Sequence, residues 1–238
     1  MRALIAARTH VGNVRTRNED AFVIGFEPIS RSMDAGLVRS FEIETPLLIG
    51  VADGIGGHAA GDVASETAVV GLAMHSYSER GALAEVLHAI DASLLARGDD
   101  PSTYRMGTTF CGMLLGPQPV GLVVGDGFLG VRAGRALQPF GPSWDDVAAS
   151  MAIDSALGGR DPSSPLVLSW RTMPFVVGGR YVVASDGIVR ATTYEAFAAA
   201  IREGRDPKDC LDRIFMLGLA GIAPDNITCI IAEVTADS

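Results

Sequence analysis

Three apolar runs in this 238-residue chain end on the same dipeptide. Residues 46–52 lead into Asp53-Gly54, 122–125 into Asp126-Gly127, and 181–185 into Asp186-Gly187. Short apolar runs bounded by turn residues predict buried strands, so each strand delivers a carboxylate to a glycine corner. After Gly61 the pattern turns helical, with Val63, Thr67, Val70, Met74 and Tyr77 on one stripe. Glycines between 54 and 61 allow positive φ and close backbone approach at this corner. Turn chemistry alone explains a single Asp-Gly, and it suits Asp126, because strand-like 128–132 follows at once. It suits Asp53 and Asp186 poorly, since helices follow them. Two more acidic clusters precede apolar strands: Asn18-Glu19-Asp20 before 21–24, and Asp225-Asn226 before 227–231.

If these strand ends share one edge, up to five carboxylates meet there. Their repulsion makes bound cations favourable. Oxygen donors without organised His or Cys partners select hard ions, so Mg²⁺ or Mn²⁺ is expected rather than zinc. Two such ions bridged by one carboxylate lower the pKa of a shared water towards neutrality. Asp53 is the candidate bridge, the Gly54 carbonyl a further ligand, and Asp186 and Asp225 complete the two sites. Asp20 or Glu19 acts directly or through metal-bound water. Arg15 reaches the same edge and can fork two hydrogen bonds to a phosphate, or it is a solvated turn arginine; Arg17 is the weaker candidate. His58 can donate a proton to a departing alkoxide, or hydrogen-bond a metal-bound water. His75 and His88 read as packing or surface residues.

A net charge of −9 without a basic stripe opposes nucleic-acid binding. No apolar segment is long enough for membrane insertion. The opening residues 1–7 are too short an apolar stretch for a secretory signal before Arg8 and His10 interrupt them, so a cytoplasmic location is expected. Cys111, Cys210 and Cys229 are odd in number and lie in apolar stretches, which predicts reduced packing residues. With no linker or repeat, residues 1–238 read as a single domain.

Hairpin-linked strands interrupted by two blocks of paired helices predict an α+β fold. It is a four-layer α-β-β-α sandwich, two antiparallel sheets flanked by helices; a doubly wound parallel fold is the alternative. Leu83, Val86, Leu87, Ile90 and Leu94 predict an amphipathic helix, and Ser143 with Asp146 caps one running to about 157. Thr192 with Glu195 opens another, and Asp206 with Pro207 starts the last, whose buried face is Cys210, Leu211, Ile214 and Phe215, with Leu219 a further candidate. A strand is expected at 166–170, and residues 27–45 form a long connection with a strand near 38–43 that the pattern does not fix.

Six blocks now stand in order: Arg15-Thr16-Arg17-Asn18-Glu19-Asp20-Ala21, residues 51–61, Met106-Gly107-Thr108-Thr109, Val124-Gly125-Asp126, Ser185-Asp186-Gly187 and Asp225-Asn226-Ile227-Thr228. In order and spacing they resemble the bacterial metal-dependent protein phosphatases of the PP2C type (PPM family), over residues 12–234. The resemblance implies a β-sandwich flanked by helices, a binuclear Mn²⁺ or Mg²⁺ centre, and hydrolysis of phosphoserine and phosphothreonine by direct water attack. It also implies a phosphoprotein substrate and an opposing Ser/Thr kinase. Matching positions suggest Arg15 for phosphate, Asp53, Gly54, Asp186 and Asp225 for the two metals, and Asp20 for metal-bound water. Asp126 looks like the residue that, with Asp186, holds a weaker third metal. Gly127-Phe128 and residues 142–146 depart from the family pattern beside the expected substrate groove. Two rival readings are a phosphatase for a small phosphorylated metabolite and a regulatory phosphoprotein-binding module without activity.

Overall fold

Most strands of this chain are apolar on both faces, and a strand buried on both faces must lie in a sheet covered on both sides. A computed structural model describes residues 1–55, 60–98, 100–149 and 155–235. In chain order the elements are β1 (Arg2–His10), β2 (Asp20–Ile24), β3 (Glu27–Ile29), β4 (Leu37–Glu42), β5 (Leu47–Ile55), α1 (Gly61–Ala73) and α2 (Arg80–Arg97). Then come β6 (Gly107–Thr108), β7 (Phe110–Leu115), β8 (Val120–Val124), β9 (Phe128–Ala133), β10 (Ala136–Pro139), α3 (Trp144–Ala149), β11 (Leu157–Gly158) and β12 (Ser169–Thr172). The chain closes with β13 (Arg180–Ala184), α4 (Asp186–Ala191), α5 (Tyr194–Glu203), α6 (Pro207–Ala220) and β14 (Ile227–Thr235).

Among the described residues one sheet runs β10-β9-β13-β14-β1-β4. The other runs β11-β6-β5-β7-β8-β12, with β2 joined to β5 and β3 to β2. All the strand pairs described are antiparallel. Residue parity assigns the faces. In β2, Phe22 and Ile24 enter the core between the sheets, while Ala21 and Val23 face the helical layer of α1 and α2. In β14, Ile230, Ala232 and Val234 point between the sheets, while Cys229 and Ile231 face α4, α5 and α6. This is the expected four-layer sandwich.

Four expectations need correction. The buried face of α1 is Ala64, Ser65, Ala68, Val69 and Leu72, not the Val63–Thr67–Val70–Met74 stripe; Met74 is 76% exposed. Small residues turn inward there because they let the helix lie close to the sheet. The helix from Trp144 stops at Ala149 in the described residues, and Leu157, expected as its end, is a strand residue paired with Thr108. The strand expected at 166–170 is Ser169–Thr172, because only that stretch pairs with β8. Thr193 rather than Thr192 caps α5, its side chain accepting from the Ala196 amide, while the Thr192 hydroxyl donates to the Ile188 carbonyl. The unfixed connection contains β4, on the edge of its sheet. The amphipathic α2, the Asp206 cap of α6 and its buried face stand as expected. The three cysteines are free and buried.

Candidate active site

Parity also decides where the acidic strand ends point. Asp20 lies two residues from Phe22, and Asp53 two from Val51, so both share the face turned between the sheets. The β2–β5 register sets Asp20 directly opposite Asp53. Like charges in that position are destabilising. From the other sheet, β13 and β14 bring Ser185 and Thr228 to the same end, with the Ser185 amide donating to the Thr228 carbonyl at 3.0 Å.

Around Asp20 the polar groups form a directed chain. The hydroxyls of Ser185 and Thr228 donate to Asp20 Oδ2 at 2.8 and 2.6 Å. Because Thr228 spends its proton there, Thr9 donates to Thr228 Oγ1 at 2.7 Å, and Asn18 Nδ2 in turn donates to Thr9 at 2.8 Å. Asp20 is only 1% exposed, and its other oxygen, Oδ1, has no partner. Burial pushes its carboxyl up to about 7, against the pull of the two hydroxyls and with the help of the Asp186 and Asp225 charges. Asp53 is raised well above the usual carboxylate range, first by burial and then by the charges of Asp20 and Asp186.

Asp186 opens α4 directly after β13, and its Oδ1 is likewise buried without a partner. Its Oδ2 accepts from Arg190 Nε at 2.7 Å, one helical turn on. Asp225 stands just before β14, where Oδ1 accepts from the Asn226 amide and Oδ2 from Arg15 Nη2, both at 2.9 Å. Arg15 is exposed in the loop after β1. Asp126 lies in the β8–β9 turn, and burial, then the Asp186 charge, raises its carboxyl to about 6. His58 lies outside the described residues.

Glycine is required here for close approach. Gly54 and Gly61 are absent from the positive-φ residues, but a Cβ on Gly54 would stand 2.2 Å from the Gly61 carbonyl oxygen. A Cβ on Gly187 would stand 1.8 Å from the Asn226 carbonyl oxygen. Asn226 ties the site together: its side chain accepts from the Glu19 amide and donates to the Val11 and Arg17 carbonyls. The sequence reading assigns no role to Ser185, Thr228, Asn226 or Arg190. The Asp186–Arg190 spacing was a usable signal, since those positions face each other once a helix starts at Asp186.

Among the described residues, no group of three or more His, Cys, Asp or Glu side chains is disposed to hold a metal ion. Arg15 and Arg190 each engage an oxygen of a carboxylate expected as a ligand. The donor chemistry nevertheless fits hard divalent cations. All donors are oxygen, one oxygen each of Asp20 and Asp186 is buried without a partner, and Asp53 stands among the charges of Asp20, Asp186 and Asp225, a crowding that a cation would relieve. Magnesium and manganese sites need few carboxylates, the remaining positions being filled by carbonyl oxygen and water.

The chain is 28% identical over 255 aligned positions to the serine/threonine protein phosphatase PstP of Mycobacterium tuberculosis, an alignment covering 96% of this chain and 44% of that protein. The crystal structure of M. tuberculosis PstP superposes with a TM-score of 0.78 at 25% identity, covering 99% of this chain and all of that one. The chain is a homologue of the PP2C-type (PPM) phosphatases. A second PstP structure, its catalytic domain in complex with two manganese ions, superposes on this PPM homologue at TM-score 0.77 and 25% identity, over 99% of this chain and all of that one. PppA, a regulatory component of the type VI secretion system in Pseudomonas aeruginosa, does so at TM-score 0.72 and 25% identity, over 97% of each chain. No family model matches the chain. This PPM homologue spans less than half the length of the curated PstP protein.

Proposed function

We propose that the chain is a Ser/Thr phosphoprotein phosphatase working with two Mn²⁺ or Mg²⁺ ions at the acidic end of its sandwich, in a single domain covering residues 1–238. The observation that carries this reading is the meeting of Asp20 and Asp53 from one sheet with Asp186 from the other, Asp20 and Asp186 each keeping a buried oxygen without a partner. The likeness to a PstP domain described with two manganese ions supports it. When bound, the two ions would neutralise the carboxylates and the phosphoryl oxygens and lower the pKa of water towards neutrality.

Each residue then has a distinct task. Asp53, Asp186, Asp225 and the Gly54 carbonyl hold the ions. Asp20, kept in one rotamer by Ser185 and Thr228, orients water at the centre. Arg15 is anchored on Asp225, which sets its guanidinium beside the acidic end to orient a phosphate. His58 donates a proton to the departing serine or threonine oxygen. Positioning and charge neutralisation supply most of the rate. The partners of this reading are a phosphoprotein substrate and an opposing Ser/Thr kinase, and its location is cytoplasmic. Among the described residues no helix is long and apolar enough to cross a membrane.

The test is kcat/KM for a phosphothreonine peptide against that for a small aryl phosphate at equal Mn²⁺. The peptide should be favoured. A strong preference for the small ester would give the site to a metabolite phosphatase, and no turnover of either would leave a regulatory phosphoprotein-binding module. Arg15→Ala should chiefly raise KM for the peptide, by roughly tenfold, the equivalent of about 1.4 kcal/mol of binding. An unchanged KM removes Arg15 from phosphate recognition.

A further inference from the structure

Aromatic rings from β9, α3 and α5 lock together next to the acidic end of the sandwich. The Phe128 ring meets Trp144 at 5.5 Å and Phe197 at 5.3 Å, and Trp144 meets Tyr194 at 5.6 Å, all edge to face. The Tyr194 hydroxyl donates to the Leu137 carbonyl at 2.7 Å, which holds that ring in place. These contacts seat α3 against the α4–α5 layer, and a groove of about 580 Å³ is left along the seam. Its wall includes Trp144, Asp145, Arg190, Tyr194, Glu195 and Pro224. Two of these lead to the acidic end: Arg190 Nε donates to Asp186 Oδ2 at 2.7 Å, and Pro224 directly precedes Asp225. An extended chain advances roughly 3.3 Å per residue, so residues a few positions from a phosphothreonine held at that end can lie in the groove.

Charge decides what the groove takes. Asp145, in the first turn of α3, and Glu195, in the first turn of α5, are exposed, and among the described residues neither has an ion-pair partner. Arg190, the cation among the described residues of the wall, is directed at Asp186. Resting on the phosphoprotein phosphatase reading above, we propose that this groove binds the substrate segment beside the phosphorylated residue and selects a basic side chain in it, arginine above all. Arginine matches both features of the wall, because its guanidinium forks onto a carboxylate and its flat face packs on an aromatic ring such as Tyr194. An acidic side chain in the same place meets charges of its own sign, so the groove rejects as well as attracts.

The experiment uses the full chain in Mn²⁺ with alanine-based phosphothreonine peptides. Each carries a single arginine, or a single glutamate, at one position between three before and three after the phosphorylated residue. Arginine at one or two neighbouring positions should raise kcat/KM roughly fivefold over alanine, chiefly through KM, and glutamate there should lower it. Added salt should shrink the arginine preference. Asp145→Asn with Glu195→Gln, which keeps the size of both side chains, should make the arginine and alanine peptides equal. Equal kcat/KM across the wild-type series, a preference for glutamate, or an arginine preference that survives in the double variant each overturns the proposal; the wild-type series decides alone if the double variant does not fold. No turnover of any peptide is a different failure, because it defeats the phosphoprotein phosphatase reading itself.

Discussion

Asp53→Asn is expected to abolish metal-dependent turnover while stabilising the metal-free fold. Asp53 lies directly opposite Asp20 and within reach of the charges of Asp186 and Asp225, so its charge is held where neighbours of the same sign converge. Asparagine keeps the size and the hydrogen-bonding capacity but not the charge. Loss of the candidate bridge should lower kcat/KM by more than the roughly 100-fold that outer partners of a metal site cost. In chelator near neutral pH the same change relieves repulsion, worth on the order of 1–2 kcal/mol, or about 2–8 °C in Tm for a domain of this size. Addition of Mn²⁺ should then raise the Tm of wild type more than that of the variant. Steady-state kinetics and thermal melts with and without Mn²⁺ read both effects. Near-normal turnover removes Asp53 from the centre, and a lower Tm in chelator contradicts the repulsion argument.

Without metal, stability should fall as pH rises from about 4 to above 7. The sign follows from the buried carboxyls. Asp20 is raised from 3.8 to about 7 and Asp126 to about 6, burial being the main cause for both. Through that interval the folded chain holds protons that the unfolded chain has released, so the slope of unfolding free energy with pH is negative. The stabilisation is complete below the unfolded pKa and gone once pH passes the folded value. At about 1.4 kcal/mol per pKa unit, Asp20 alone represents a loss on the order of 4 kcal/mol. Cations bound in place of those protons should cancel the decline, so the gain in Tm from Mn²⁺ grows with pH. Calorimetry in chelator and in excess Mn²⁺ between about pH 5 and about pH 8 separates the cases. A chelated protein whose Tm is flat or rises over that range sinks this prediction.

Much of the site is legible in the chain because period two is legible. Phe22 and Ile24 on β2, and Ile49 and Val51 on β5, mark the inward face, and continuing that alternation carries Asp20 and Asp53 onto it. Their exact opposition is not legible, since register depends on which strands pair. The face of α1 is misread for a related reason. Hydrophobic size points to Val70 and Met74, but closeness to the sheet selects Ala64, Ser65 and Ala68, and only tertiary packing distinguishes these demands. Ser185, Thr228 and Asn226 are ordinary polar residues until β13, β14 and the Val11–Glu19 loop are brought together. Arg190 acquires its meaning only when Asp186 begins a helix rather than a turn.

The central claim is that aspartates distant along the chain form one pocket whose chemistry depends on divalent cations. Phosphate release from a phosphothreonine peptide by the full chain, followed first in chelator and then as Mn²⁺ is added back, tests it most directly. The account predicts no release above background in chelator and recovery that saturates with Mn²⁺. Equal release in chelator and in Mn²⁺ would contradict it.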